Sequence, residues 1–256
     1  MLCLLLSSAL NLRIDAAIEP VCQRKPLSVV LETPTNTSNS YAIVGGHIAL
    51  ALERRQDVDL YLLKLPNFDD TWPSHHGKDL WGEEDGKVLD HSIKRAFHGD
   101  ESSGTPDLTI RVTIDFSPPA FPSPMIILAT TERGYLSNEA VSGEVPLEKV
   151  DWSSMRLAAP SCWAADGLVA SGAKDVTIIP HGVSSHFRPL DFDTRTSLRA
   201  SLDLVSSFVF LHVSSLTKNK NPALLLSSFK TLTDRFGNTI KLIIKGNDEL
   251  YASEAR

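Results

Sequence analysis

The residues best suited to chemistry lie in Val213-Ser214-Ser215-Leu216-Thr217-Lys218-Asn219-Lys220-Asn221-Pro222. The apolar run Phe208 to Val213 ends there, and the polar loop that follows leads to a helix start. Asn221 suits the N-cap of that helix and Pro222 its first position. Backbone N–H groups, the helix dipole and the ammonium groups of Lys218 and Lys220 together make an anion site suited to a phosphate. A solvated lysine loop would have the same composition, so the spacing alone leaves both readings open.

Other residues invite other chemistry. Asp115 and Glu132 each follow an apolar strand-like run, Asp107 to Ile114 and Met125 to Thr131. In a parallel sheet the carboxyl ends of strands carry ligands. Two carboxylates there could act as the acid and base of a glycosidase, or could be solvated loop ends. Gly45-Gly46 sits at a strand-to-helix transition, but the pattern is not G-x-G-x-x-G. It is read either as close backbone packing or as a dinucleotide site. His75, His76, His91 and His98 lie in a polar stretch with no regular metal-ligand spacing, so no metal site is expected. Val176 to Ile179 is an apolar strand that stops at Pro180-His181-Gly182.

These residues must be positioned by an α/β fold. Leu27 to Leu31 reads as a buried strand, Tyr41 to Leu52 as a helix with an apolar stripe, and Asp59 to Leu65 as the next strand. That order implies a right-handed parallel βαβ unit. Residues 66–106 read as polar and irregular. Met155 to Pro160 is a further strand, Ser161 an N-cap for Cys162 to Ser171, and Gly172 a fitting C′ residue. With Val176 to Ile179 this makes about six strands, a full doubly wound domain. A linker, Ser184 to about Ser206, precedes a second unit. Its strand is Phe208 to Val213. Its helix places Leu225, Phe229, Leu232 and Phe236 on one face and stops at Gly237, and Ile240 to Lys245 is its return strand.

Bulk properties narrow the function classes. A net charge of -6 over 256 residues argues against a nucleic-acid or anionic-membrane binder. Cys3, Cys22 and Cys162 are far apart, which speaks against a disulfide scaffold or a zinc site and favours reduced, structural thiols. No segment reaches transmembrane length. The apolar start, Met1 to Leu10, lacks a basic flank; the cytoplasm is slightly favoured, with a weak secretory signal as the alternative. Asn36-Thr37-Ser38 is a glycosylation sequon that matters only in a secreted chain.

Pro160-Ser161-x-Trp163, Ser171-Gly172, Val176 to Val183 and Phe187-x-Pro189 resemble the end of the first domain in retaining nucleotide-sugar glycosyltransferases of the two-Rossmann GT-B fold (group 1, family 4-like). Val213-Ser214-Ser215-Leu216-x-x-x-Lys220-Asn221, with Leu224, Leu225 and Phe229, resembles that family's donor motif, G-R-L-x-x-x-K-G. Leu242 to Gly246 resembles its next strand, and Glu132 a common acidic position. The similarity covers about residues 27–250 and is weakest over 66–106.

The resemblance implies a GT-B-like fold in three parts. Residues 1–26 are poorly defined, 27–190 form the acceptor-side Rossmann-like domain, and 191–256 form part of a donor domain. It implies a nucleotide-diphosphate sugar held by Lys220, Ser215 and Asn221. An acceptor of unknown kind (glycan, lipid or protein) would lie near Gly45, Gly46, Asp115, Glu132, His181 and Gly182. No metal or other cofactor is expected, because protein cations and dipoles stabilise the leaving diphosphate. Two departures stand out. Ser215 replaces the family's arginine, and the family's later glutamate pair has no counterpart, which implies a truncated donor domain. An inactive glycan- or partner-binding remnant of such an enzyme is the alternative reading, and a glycosidase using Asp115 and Glu132 a third.

Overall fold

The computed structural model describes residues 25–35, 39–65, 81–95, 97, 104–131, 133–138, 141, 145–183 and 187–246. The N-terminal apolar run, the sequon, Cys3, Cys22, His75, His76, His98 and Glu132 lie outside them. Six parallel strands form the first sheet: β1 (Leu27–Thr33), β2 (Val58–Lys64), β3 (Leu108–Val112), β4 (Met125–Leu128), β5 (Arg156–Ala159) and β6 (Val176–Ile178). Their order is β2-β1-β3-β4-β5-β6. The chain steps from β1 outward to β2 and then returns past β1 to β3. This reversal is where an open α/β sheet forms its crevice.

Helices α1 (Ser40–Glu53) and α2 (Glu83–Lys94) pack beside one another at the β1–β2 side. Asn39 caps α1 by accepting the Ala42 N–H at 2.8 Å. The core there joins Leu31, Leu60 and Leu62 of the sheet to Ala49 and Leu50 of α1 and Leu89 of α2. Helix α3 (Cys162–Ala170) covers the other half of the sheet. It packs Ala164, Ala165 and Leu168 on Ile127, Leu157 and Ala159. Its cap is Ser161, which accepts the Ala164 N–H, and Gly172 closes it at φ +114. The Cβ of any other residue at Gly172 would also come within 2.9 Å of Trp152 Nε1.

Residues 66–106 are not irregular throughout, as the sequence reading had it. Helix α2 lies within them, turning Leu89 and Ser92 inward and Val88 out. The Ser92 hydroxyl donates to Glu53 at 2.6 Å, tying α2 to the end of α1. Among the described residues of this stretch, His91 sits exposed on α2. No three His, Cys, Asp or Glu side chains among the described residues cluster closely enough to hold a metal ion.

Polar groups inside the sheet are the exception that organises it. Glu32 and Arg111 are register partners on β1 and β3, and both are buried. Arg111 Nε donates to Glu32 Oε2 at 2.5 Å. Its other nitrogens donate to the carbonyls of Asp115, Ser117 and Pro118 at 3.2, 2.7 and 3.1 Å. Glu32 Oε1 in turn accepts the Ala120 N–H at 3.0 Å. The pair thereby fixes the loop after β3, and Phe121 at its end meets Phe97 at 4.8 Å. Phe97 also meets Tyr61 of β2, so the loop reaches across toward the sheet edge.

The start of the same strands is held by Asp107. Its Oδ2 accepts the Ser28 backbone N–H at 2.8 Å and the Ser28 hydroxyl at 2.9 Å. These bonds, the backbone one foremost, hold the carboxyl below its ordinary range. A depressed folded value stabilises the fold above the unfolded value, and that stabilisation is lost as pH falls through the folded one. Asp107→Asn is expected to flatten the acid side of the stability curve below about pH 4, read from urea midpoints against pH. A curve of unchanged acid slope would show that the bonds contribute nothing.

The second unit is smaller. Helix α4 (Phe192–Ser201), capped by Asp191, was not foreseen within the linker. Strands β7 (Phe208–Val213) and β8 (Ile240–Lys245) pair in parallel through helix α5 (Pro222–Phe236), as expected. Phe210 meets Phe229 of α5 at 6.2 Å, while Phe208 on the same face of the sheet stays exposed. On the opposite face, Leu211 and Val213 are 65% and 63% exposed. Parallel sheets normally have both faces covered. Here no residue of either strand is buried.

Candidate functional site

The crevice at the strand reversal is lined from two directions. The first turns of α1 give Ser40, Tyr41 and Val44, and the ends of β3 and β4 give Val112, Leu128 and Ala129. From the other side come Ala158 and Ala159 at the end of β5, Pro160 just after it, and Ile179 and His181 after β6. The cleft is open to solvent, with about 410 Å³ of empty space when its open mouth is included. His181 thus lies at a cleft, as expected of a residue just past a strand end. Gly182 is exposed beside it, and a Cβ there would meet no heavy atom within 4 Å. Packing does not demand a glycine at that position.

Gly45 and Gly46 lie deeper along α1. A Cβ at Gly45 would stand 2.1 Å from Thr33 Oγ1, and one at Gly46 would stand 2.2 Å from the Trp81 ring. Both glycines are buried, and close packing accounts for them. Gly45→Ala is expected to destabilise the protein by about 1–3 kcal/mol, since Thr33 is fixed within β1. Gly46→Ala should cost less, because the Trp81 ring can swing while a strand cannot. Thermal melts of the two variants check the order; equal losses would contradict it.

Asp115 is committed to its own turn. Its Oδ1 accepts the Ser117 N–H at 2.9 Å and the Ser117 hydroxyl at 2.6 Å, and lies 3.6 Å from the Arg111 guanidinium. It serves to shape the loop that Arg111 holds. Glu132, its expected partner, lies outside the described residues.

The lysine loop takes a definite form at the end of β7. Lys218–Lys220 make a turn of 3-10 helix, and Asn221 is left-handed at φ +48. Asn221 Oδ1 accepts the Leu224 N–H at 3.1 Å, capping α5. Pro222 brings no N–H, so of the first three helical positions only Ala223 keeps a backbone donor that the cap does not take. Lys218 and Lys220 are exposed, and Lys245 closes β8 opposite Val213 at the same end of the sheet. Ser215 Oγ lies 3.4 Å from Thr217 Oγ1. An anion here would meet ammonium groups and a helix dipole, with few backbone donors.

One pair at this end escaped the sequence reading. His212 Nε2 lies 2.7 Å from Ser214 Oγ, which also donates to the Ser215 carbonyl at 3.0 Å. The signal was present as a histidine in the otherwise apolar run Phe208 to Val213, followed by two serines. The pair orders the first residues of the loop.

The geometry defines a class: an α/β chain with a Rossmann-like parallel sheet of GT-B type. Two solved structures share it. Anabaena HepE in complex with UDP matches with a TM-score of 0.53, and HepE in complex with UDP and glucose with 0.51, each at 11% sequence identity. The matches cover 88% and 85% of this chain and 70% and 60% of the HepE chain, so this chain spans well short of HepE's full length. No family model matches the sequence, and no curated protein sequence matches it. No helix among the described residues is long and apolar enough to cross a membrane.

Proposed function

We propose that the chain belongs to a glycosyltransferase that moves a sugar from a nucleotide-diphosphate donor to a hydroxylated acceptor. The observation that carries this reading is the Lys218–Asn221 loop at the N-terminus of α5, in a fold shared with a UDP-bound protein. In the reaction the acceptor oxygen bonds to the anomeric carbon. The bond from that carbon to the diphosphate oxygen breaks, the nucleotide leaves with the electron pair, and the acceptor proton goes to solvent. Lys220, with Lys218 and the α5 dipole, would stabilise the charge that grows on the diphosphate. Ser215 and Asn221 would shape the loop around it.

Retention of anomeric configuration is carried by the motif resemblance. An incomplete donor unit is supported by the lack of any buried residue in β7 and β8. Among the described residues, 14 of the 21 large apolar side chains that are exposed lie between Phe187 and Ile244. We read that surface as the seam on which further strands and helices of the same donor domain pack. The same observation favours a second reading, in which a chain with this partial unit binds without turnover.

Calorimetric titration of the chain with UDP tests the donor site. Saturable binding that glucose alone does not reproduce is the expected result. Absence of any heat or shift up to millimolar UDP would sink the proposal.

A further inference from the structure

The acceptor side carries chemistry of its own. Among the described residues, eight of the twelve that line the crevice have no polar side-chain atom, among them Val44, Val112, Leu128 and Ile179. The exceptions are Ser40, Tyr41, Thr130 and His181. Ser40 and His181 are exposed at the rim, while Val112, Ala129, Ala158 and Ala159 make a buried floor. The backbone there is largely spent as well: the Ala129 N–H donates to the Ala158 carbonyl at 2.9 Å, and the Ile179 N–H to the Ala159 carbonyl at 2.8 Å. Asn39 takes the Ala42 N–H at the start of α1.

A sugar ring seated against this floor would bury several hydroxyls with few groups to receive them, and an unpaired buried hydroxyl is costly. An apolar ring or chain would instead gain from burial. We infer that the crevice takes the apolar body of an amphipathic alcohol, whose hydroxyl is left at the rim beside His181. The inference rests on the transferase reading and names its acceptor class. A polar glycan is not seated here.

The test uses the chain itself and small probes, followed by NMR. 4-Methylumbelliferone stands for the amphipathic alcohol, glucose for the polar one, and UDP is titrated separately. The umbelliferone is expected to shift the resonances of Tyr41 and His181 saturably, and glucose to leave them unmoved. Ile179→Asn should weaken the umbelliferone by about tenfold or more while UDP binding stays as it was. His181→Ala should narrow the preference for the umbelliferone over its O-methyl ether. Shifts at Tyr41 and His181 from glucose and none from the umbelliferone would overturn the inference, as would no response to either. If UDP still binds in that case, the transferase reading stands and the acceptor class falls. If UDP fails and the umbelliferone binds, the cleft chemistry stands and the transferase reading falls.

Discussion

Arg111→Met is expected to be the most damaging single substitution in the first unit. The guanidinium donates to Glu32 and to three loop carbonyls, and both charged partners are almost wholly buried. Removing one partner of such a pair strands the other charge in the interior, at a cost of about 3–5 kcal/mol. For a unit of this size that corresponds to a fall of about 6–20 °C in melting temperature. Glu32 would be left with the Ala120 N–H as its remaining donor among those described. The double variant Glu32→Leu with Arg111→Met should lose less than the two single losses combined, because no charge then remains buried. Strict additivity of the three melts would show that the pair is not coupled.

The second large effect is expected at the lysine loop. Lys220→Ala should weaken UDP by about ten- to a hundredfold, the range of one hydrogen bond to a charged partner at about 1.5–3 kcal/mol. The melting temperature should stay put, since Lys220 is exposed and its backbone N–H, which donates to the Thr217 carbonyl, is retained. Because Pro222 and the Asn221 cap leave so few backbone donors at this helix start, the ammonium groups carry more of the anion attraction than at an open N-terminus. Affinity for UDP should accordingly fall steeply with added salt. A Lys220→Ala protein that binds UDP like the parent would remove this residue from the site.

Much of this fold is legible along the chain because its strands carry runs of apolar residues, which in β1 are buried on both faces. Leu27 to Leu31 and Phe208 to Val213 read as mainly apolar runs, and Ser161, Gly172, Asn221, Pro222 and Gly237 mark where helices start and stop. Helix α2 is harder to read. It begins after Gly82 with no side-chain cap, and its inward face is only Leu89, Ser92 and the half-buried Ile93 within a polar stretch. Helix α4 carries a usable signal in Asp191, which accepts from the Thr194 N–H and hydroxyl, but none of its residues is buried to give it an apolar stripe.

The site divides in the same way. Lys220 and His181 could be picked out because each follows a strand end, a local property. Gly45 and Gly46 could be seen, but their neighbours could not: Thr33 and Trp81 come to them through packing. The Glu32–Arg111 pair is less legible still, since 79 positions separate its members and only the β1–β3 register brings them together. That register also brings Arg111 to within 3.6 Å of Asp115, whose carboxylate joins the loop anchor.

The account rests on a nucleotide diphosphate being held at the start of α5. Hydrogen–deuterium exchange of the chain with and without UDP tests this most directly. Slowed exchange over Ser214 to Leu225, abolished by Lys220→Ala, is the predicted result. UDP-dependent protection confined to other segments, with Ser214 to Leu225 unchanged, would contradict it.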